Sequence, residues 1–326
     1  MSIRSASQSS IFSNKSTSAQ RSQRTTTGTI DLEWLVIAGG GSGGMDTASG
    51  GGGAGGYLES SSSANVARPS AKIELNRPYT VTIGAGAARS STYTARAPGS
   101  NSVFGELTAI GGGGGGTYGT PLLPNNNPPA FRAEVGGSGG GGAGRNYIVG
   151  AGGFAGTTTE PISAKQGNSG AGWGPGGYLA GACGNGGGGA GSGAAQINGY
   201  AAPSVGVGKE SSITGSPVFR AGGGYGGGPN AVTSPSPGGG GGGSNASNAA
   251  DDGAVNTGSG GGGRHRYVYT GPDDAGGGGG SGIVILRWLT ADAIAKVGAG
   301  LTASETTDGS HTVLTITAGS DTVTWV

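Results

Sequence analysis

The sequence predicts a mostly irregular and β protein: a bundle, or sandwich, of packed polyglycine II helices with flanking β-strands and a small C-terminal β-meander. Three observations carry this expectation. Of 326 residues 81 are Gly and only 33% are hydrophobic, too little apolar material for an ordinary core of this size. The glycines are gathered into runs near 39–44, 50–56, 111–116, 136–144, 150–156, 170–177, 184–193, 222–228, 238–243, 258–263 and 276–282. Between the runs lie short β-branched and aromatic segments with strand character.

The runs fit neither common element. Glycine costs roughly 0.5–1 kcal/mol against Ala in a helix or strand interior, and the strict Gly-X-Y period of collagen is missing. An extended left-handed helix with about three residues per turn and about 3.1 Å rise has no internal hydrogen bonds, so a lone one gains nothing over coil. Several side by side can exchange N–H and C=O bonds, because absent side chains let the backbones approach. Weak Cα–H to O=C contacts then add a second-order contribution. Backbone bonding replaces side-chain burial as the cohesive term, which answers where the polar groups go. Small insertions such as Ala54, Ala143, Ala190 and Ser192 are expected at outward positions. A flexible Gly-rich linker is the competing reading. The strand-like punctuation and the low charged fraction of 11% speak against it.

Along the chain, residues 1–29 form a polar arm, 30–289 the glycine-rich bundle with strands and variable loops, and 290–326 a small β-rich module. Arg4, Lys15, Arg21 and Arg24 stand in the arm amid Ser, Thr and Gln, with no acid before Asp31. A transit peptide has that bias, and so does an arm threading into a partner subunit, which is the preferred reading. Segment 30–38 reads as a strand, and another begins at Ile283. In the last piece Thr312–Ala318 and Thr322–Val326 alternate as strands, with turn signals at Asp308-Gly309 and Gly319-Ser320. If each run crosses the bundle once, successive connections alternate between its two ends. Elaborate loops then gather at one end, and tight turns with a β-layer at the other.

Charge and motifs exclude several function classes. Eighteen basic against 17 acidic residues leave no basic excess for phosphate contacts, so no nucleic-acid partner is expected. The single Cys183 cannot close an internal disulfide. No apolar stretch is long enough for a membrane span, and no secretory h-region is visible. The many Gly-x-Gly-x-x-Gly matches follow from composition and lack a βαβ setting. His265 and His311, the two histidines, read as solvated loop residues without converging partners. Asp251-Asp252 and Asp273-Asp274 fit a cation or ordinary turn chemistry, with turn chemistry preferred. No enzyme constellation, cofactor or metal site is expected.

The loop aromatics Tyr118, Phe131, Trp173, Tyr178, Tyr200, Phe219, Tyr225, Tyr267 and Tyr269 are the recognition candidates, because amphipathic rings give contact area at low entropy cost and suit sugar faces. For Tyr178 and Tyr225, beside short turns, sealing the bundle is the better reading. For Tyr118, Phe131, Tyr200, Tyr267 and Tyr269, sealing and recognition stand level. Arg264-His265-Arg266-Tyr267-Val268-Tyr269 joins cations to rings and suits an anionic glycan, with exposed hairpin packing as its alternative. Trp34, Trp288 and Trp325 lie in strand segments and read as core.

Four phrases occur in order: Glu33-Trp-Leu-Val-Ile-Ala-Gly-Gly-Gly; Tyr79-Thr-Val-Thr-Ile-Gly-Ala-Gly; Ser102-Val-Phe-Gly-Glu-Leu-Thr-Ala-Ile before Gly111–Gly116; and Gly276–Gly282 leading into Ile-Val-Ile-Leu-Arg-Trp. Together they resemble the glycine-rich domain of bacteriophage tail-fibre proteins, over about 30–289. The run-and-loop arrangement is similar to fibre-tip adhesins in which a polyglycine II sandwich displays hypervariable loops. The resemblance implies a non-enzymatic virion protein, assembled in the host cytoplasm, whose loops bind a bacterial surface receptor, either an outer-membrane protein or a glycan. Residues 1–29 would then contact other tail or fibre proteins, with a homotrimer left open as the oligomer. The arm lacks a recognisable fibre-attachment domain, and 290–326 exceeds the tip-adhesin pattern. An architectural tail or capsid appendage is the alternative, and an ice-binding bundle is disfavoured by the irregular loops.

Overall fold

In the computed structural model, the described residues are 28–60, 71–91, 96–117, 133–145, 148–149, 166–172, 183–195, 204–245, 248–265 and 275–326. They contain no helix. The strands are β1 Thr29–Ile37, β2 Tyr57–Glu59, β3 Ala71–Glu74, β4 Pro78–Thr82, β5 Ser102–Phe104, β6 Leu107–Ala109, β7 Gly144–Arg145, β8 Ile148–Val149, β9 Lys209–Ser211, β10 Val218–Arg220, β11 Ile283–Leu289, β12 Ala295–Val297, β13 Leu301–Asp308 and β14 His311–Trp325. All pairings are antiparallel. The main sheet runs β2-β1-β11-β14-β4-β5-β6, with β3 on β1 and with β12 and β13 on β14; β7–β8 and β9–β10 are separate hairpins. The sheet curls until β5 and β6 return against β1, so it is nearly a closed barrel.

Strands β1 and β11 read as continuous apolar runs because both of their faces are covered. Ile30, Leu32, Trp34 and Val36 of β1, with Val284, Leu286 and Trp288 of β11, enter one core that also holds Phe104, Leu314 and Trp325. The alternate residues Leu35, Ile37, Ile283 and Ile285 enter a second core with Tyr57, Ile213 and Val313. The three strand tryptophans are therefore core, each at most 2% exposed. Where β1 leaves this cover, Arg287 bridges Glu33 (2.9 Å) and Asp308 (3.1 Å) across three strands.

Residues 290–326 belong to this sheet. Strand β14 lies between β11 and β4, in register Val284↔Ile316 and Val323↔Tyr79. The hairpin signal at Asp308-Gly309 holds: Asp308 faces His311, and Gly309 turns with φ +57°. The expected turn at Gly319-Ser320 does not form, and 311–325 is one strand. Gly319 instead takes φ +99° inside it, near the register shift in β13 between Thr302 and Ala303. A positive φ there costs glycine little, so the strand bends and continues from one set of partners to the next.

Every glycine run that is described makes backbone bonds to other runs in steps of three residues. Run 49–56 has the fullest set, and all eight of its N–H groups donate at 2.7–3.0 Å. Ser49, Gly52 and Gly55 donate to Arg264, Gly261 and Gly258. Gly50, Gly53 and Gly56 donate to Gly116, Gly113 and Ile110, while Gly51 and Ala54 donate to Asn185 and Gly188. Its carbonyls accept from three further runs, at Ala38, Gly41 and Gly44, at Ser138 and Gly141, and at Gly224 and Gly227. The run is thus enclosed by six others, and its residues are buried. A Cβ on Gly52 would fall on the Gly41 carbonyl, and one on Gly187 on that of Gly52.

Two expectations about the runs are corrected. Ala54 and Ala143 do not face outward, since both are fully buried. The Ala54 methyl packs with Leu35, Ile37 and Ile213, where the frame meets the sheet and apolar volume is wanted. Ala190 and Ser192 are half-buried. Nor do all successive runs alternate in direction, although 38–44, 49–56 and 111–116 do. Gly113 and Gly116 donate to Ser138 and Gly141, so runs 111–116 and 136–142 are parallel. Runs 221–228, 238–244 and 258–264 are also mutually parallel, through Tyr225 to Gly241 and Gly241 to Gly260. The chain returns between them through non-glycine passes such as 250–254, which runs antiparallel to 238–244. Runs 150–156 and 173–177 lie outside the described residues.

Candidate functional site

Although the alternation is incomplete, the frame still has two unlike ends. At one end the strands feed the runs: β1 enters at Ala38, β6 at Ile110 and β10 at Ala221, while runs 49–56 and 276–282 exit into β2 and β11. At the other end the runs finish at Gly44, Gly116, Gly142, Gly228, Ser244 and Arg264. A tight bend at Met45–Ser49 closes the first of these, with Asp46 at φ 88°, Ala48 at φ 53°, and the Ser49 hydroxyl donating to Met45 O at 2.5 Å and Asp46 O at 2.9 Å. The segments that contain Tyr118, Phe131 and Arg266–Tyr269 leave the frame at this end. The segment containing Tyr200 joins Ala195 to Ser204, after the chain has turned back at Gly189–Ser192. Tyr118, Phe131, Tyr200, Arg266, Tyr267 and Tyr269 themselves lie outside the described residues.

The two described members of the cationic-aromatic segment are not solvated. Arg264 is 1% and His265 6% exposed, because run 258–264 stays packed to its last residue. The Arg264 N–H donates to Gly44 O (3.1 Å), and its carbonyl accepts from Ser49 N–H (3.0 Å). Burial first, and then the Arg264 guanidinium, hold the His265 imidazole below its ordinary value of 6.5. Folding therefore favours the neutral ring. The unfolded chain takes up this proton near pH 6.5 and the folded chain only lower, so stability is whole above that value and declines as pH falls through the folded one. Thermal unfolding between about pH 7.5 and about pH 5.5 is expected to lose less stability in His265→Gln than in wild type. Equal losses would refute the assignment.

Sequence reasoning missed a buried polar cluster at the sheet end. Glu59 of β2 accepts from the Tyr57 hydroxyl (3.1 Å) and closely from the Ser211 hydroxyl of β9, while Lys209 Nζ lies 3.9 Å away. Lys209 also sits 5.0 Å from the centre of the Tyr57 ring. Arg220 of β10 is buried beside them, and its Nη1 has no hydrogen-bond partner among the described residues. Burial, and then the Glu59 carboxylate, push the Tyr57 phenol far above its ordinary value. Burial lowers Lys209 and Arg220, against the pull of Glu59. Paired charge and hydrogen bonds here clamp the β9–β10 hairpin onto the edge strand β2, since an isolated buried charge would be costly. The only signal was the lone Glu59 after apolar Tyr57-Leu58, which does not reveal a partner some 150 residues on.

Other singled-out groups have structural roles. Asp252 pairs with Arg89 (2.9 Å) and accepts from Gly278 N–H (2.6 Å), tying two passes together. Tyr225 is half-buried, and Phe219 of β10 is 47% exposed. Among the described residues no group of three or more His, Cys, Asp or Glu is placed to hold a metal ion, and no helix is long and apolar enough to cross a membrane. Trp173, Tyr178 and Asp273-Asp274 lie outside the described residues.

No curated protein and no solved structure matches the chain. The family model described as a glycine-rich domain matches residues 16–289, which spans the frame and every strand through β11. The chain belongs to that glycine-rich domain family.

Proposed function

We propose that the glycine runs are polyglycine II helices, and that this scaffold serves a bacteriophage tail-fibre protein whose loops recognise a receptor on the host bacterial surface. The three-residue step of the bonds and the sixfold enclosure of run 49–56 support the helix assignment, because a threefold helix presents its N–H groups in three directions 120° apart. The observation that carries the functional reading is that cohesion resides in backbone bonds between runs. The frame asks little of the side chains in its connections, so segments such as 118–132 and 266–274 can vary while it persists. The four phrases resembling tail-fibre proteins lie within the family match.

In this reading, the end opposite the sheet faces the receptor, an outer-membrane protein or a glycan. Residues 1–29 join the chain to other tail proteins in the virion, and no nucleic acid or catalysis is involved. The purified protein is expected to bind host cells and to block infection by the parent phage. Exchange of 118–132 and 266–274 for the corresponding segments of a relative with another host is expected to change host range. Unchanged host range, with no cell binding, would favour the alternative of an architectural appendage that binds only neighbouring subunits.

A further inference from the structure

We infer that a cleft in the β-sheet, away from the loop-bearing end, binds a saccharide through the ring and hydroxyl of Tyr79 and the polar groups of Lys72, Arg77 and Glu106. The cleft follows from the strand topology. Strands β3 and β4 are consecutive, joined by a short turn in which Asn76 takes φ +63°, yet they do not pair with each other. Strand β3 pairs with β1, and β4 pairs with β14 and β5. The sheet therefore opens between them, leaving a cleft of about 560 Å³. That is within the roughly 300–1,000 Å³ of small-molecule sites.

The lining has the mixed character that a sugar ring requires. The half-buried Tyr79 gives the wall its accessible apolar surface, over a floor of the buried Trp34 and Phe104. Tyr79 and Phe104 lie 6.1 Å apart, centre to centre, and Trp34 is 2% exposed with its indole N–H lacking an acceptor among the described residues. An accessible ring such as Tyr79 packs against the C–H face of a pyranose. At the mouth, Lys72 and Arg77 offer donors and Glu106 an acceptor, all three exposed. Lys72 is shared with Asp31 (3.0 Å), and Arg77 is held 5.4 Å from the Tyr79 ring centre, so both cations are placed before a ligand arrives. The Tyr79 oxygen accepts from Glu74 N–H (2.8 Å), which leaves its own proton free to donate. Hydroxyls of one or two sugar residues need this combination of donors and acceptors around an aromatic wall. A purely apolar or single-sign ligand would not match it.

The inference stands on the cleft and does not require the loops to bind a receptor. The probe is saturation-transfer NMR with the methyl glycosides of glucose, galactose and N-acetylglucosamine on the full-length protein. At least one is expected to receive saturation on its ring C–H protons. Tyr79→Phe keeps the ring and its packing but removes the donor, and is expected to weaken the best glycoside about tenfold. Thr80→Trp places a bulky ring, well suited to a strand, at the mouth and is expected to abolish transfer without lowering the melting temperature. Absence of transfer from all three glycosides would overturn the inference. So would full binding in Thr80→Trp, which would place the sugar elsewhere and leave the loop reading standing.

Discussion

Gly52→Ala is expected to abolish the folded state under conditions where wild type is stable, although it adds one methyl group. A Cβ at Gly52 would fall on the Gly41 carbonyl, with the Gly41 carbon and the Ser42 oxygen close behind. All of these are backbone, so no side chain can swing aside. Run 38–44 would have to withdraw, and with it go the bonds from Ala38, Gly41 and Gly44 to Gly56, Gly53 and Gly50, at 2.8–3.1 Å. Each is worth about 1 kcal/mol net, and more if its carbonyl is left buried and unpaired. Overpacking adds about 1–3 kcal/mol. Together they approach the whole stability of about 5–15 kcal/mol usual for a domain. Gly193→Ala is the control, since its Cβ would meet nothing nearer than Ser169 O at 3.1 Å. A melting temperature within a few degrees of wild type is expected for Gly193→Ala, and soluble, folded protein is not expected for Gly52→Ala. A Gly52→Ala protein as stable as wild type would show that the runs are not packed as described.

How much of this was legible beforehand divides along a physical line. The strands at 29–37 and 283–289 were readable because β-branched and aromatic residues mark both of their faces. The runs were readable because only glycine permits backbones to touch. Their directions were not, because a glycine run has no side chain to record which neighbour it meets or which way it points. Parallel neighbours such as 111–116 and 136–142 are specified by hydrogen bonds alone. The same silence hid the inward Ala54, a methyl that looks alike on either side of a run and is placed by Leu35 and Ile213 of distant segments. His265 reads as a loop residue from its charged neighbours, yet the run ending at Arg264 carries it inside. Of the site candidates, the sequence could show composition only. The cleft between β3 and β4 arises from their having different partners, which no local pattern announces.

Trp325→Ala is expected to cost about 3–5 kcal/mol, the range for removing a buried tryptophan, despite lying one residue from the end of the chain. The side chain is fully buried, and its ring meets Trp288 at 5.8 Å, Tyr79 at 6.0 Å and Phe104 at 6.4 Å, all edge-on. Such pairs add to simple burial. Its carbonyl also accepts from Asn76 N–H (2.7 Å), which pins the β3–β4 turn. Loss of the ring therefore loosens β12, β4 and β11 together, and chemical denaturation should show the midpoint falling with the slope unchanged. The comparison is Val326→Ala, at an exposed neighbour, where a change within about 0.5 kcal/mol is expected. If 290–326 were an appended module, Trp325→Ala would leave the unfolding of the glycine frame untouched and a second, independent transition would appear. With β14 paired between β11 and β4, a single cooperative transition shifted as a whole is the expected result, because the closing strand of the frame and the final strand of the chain share one core.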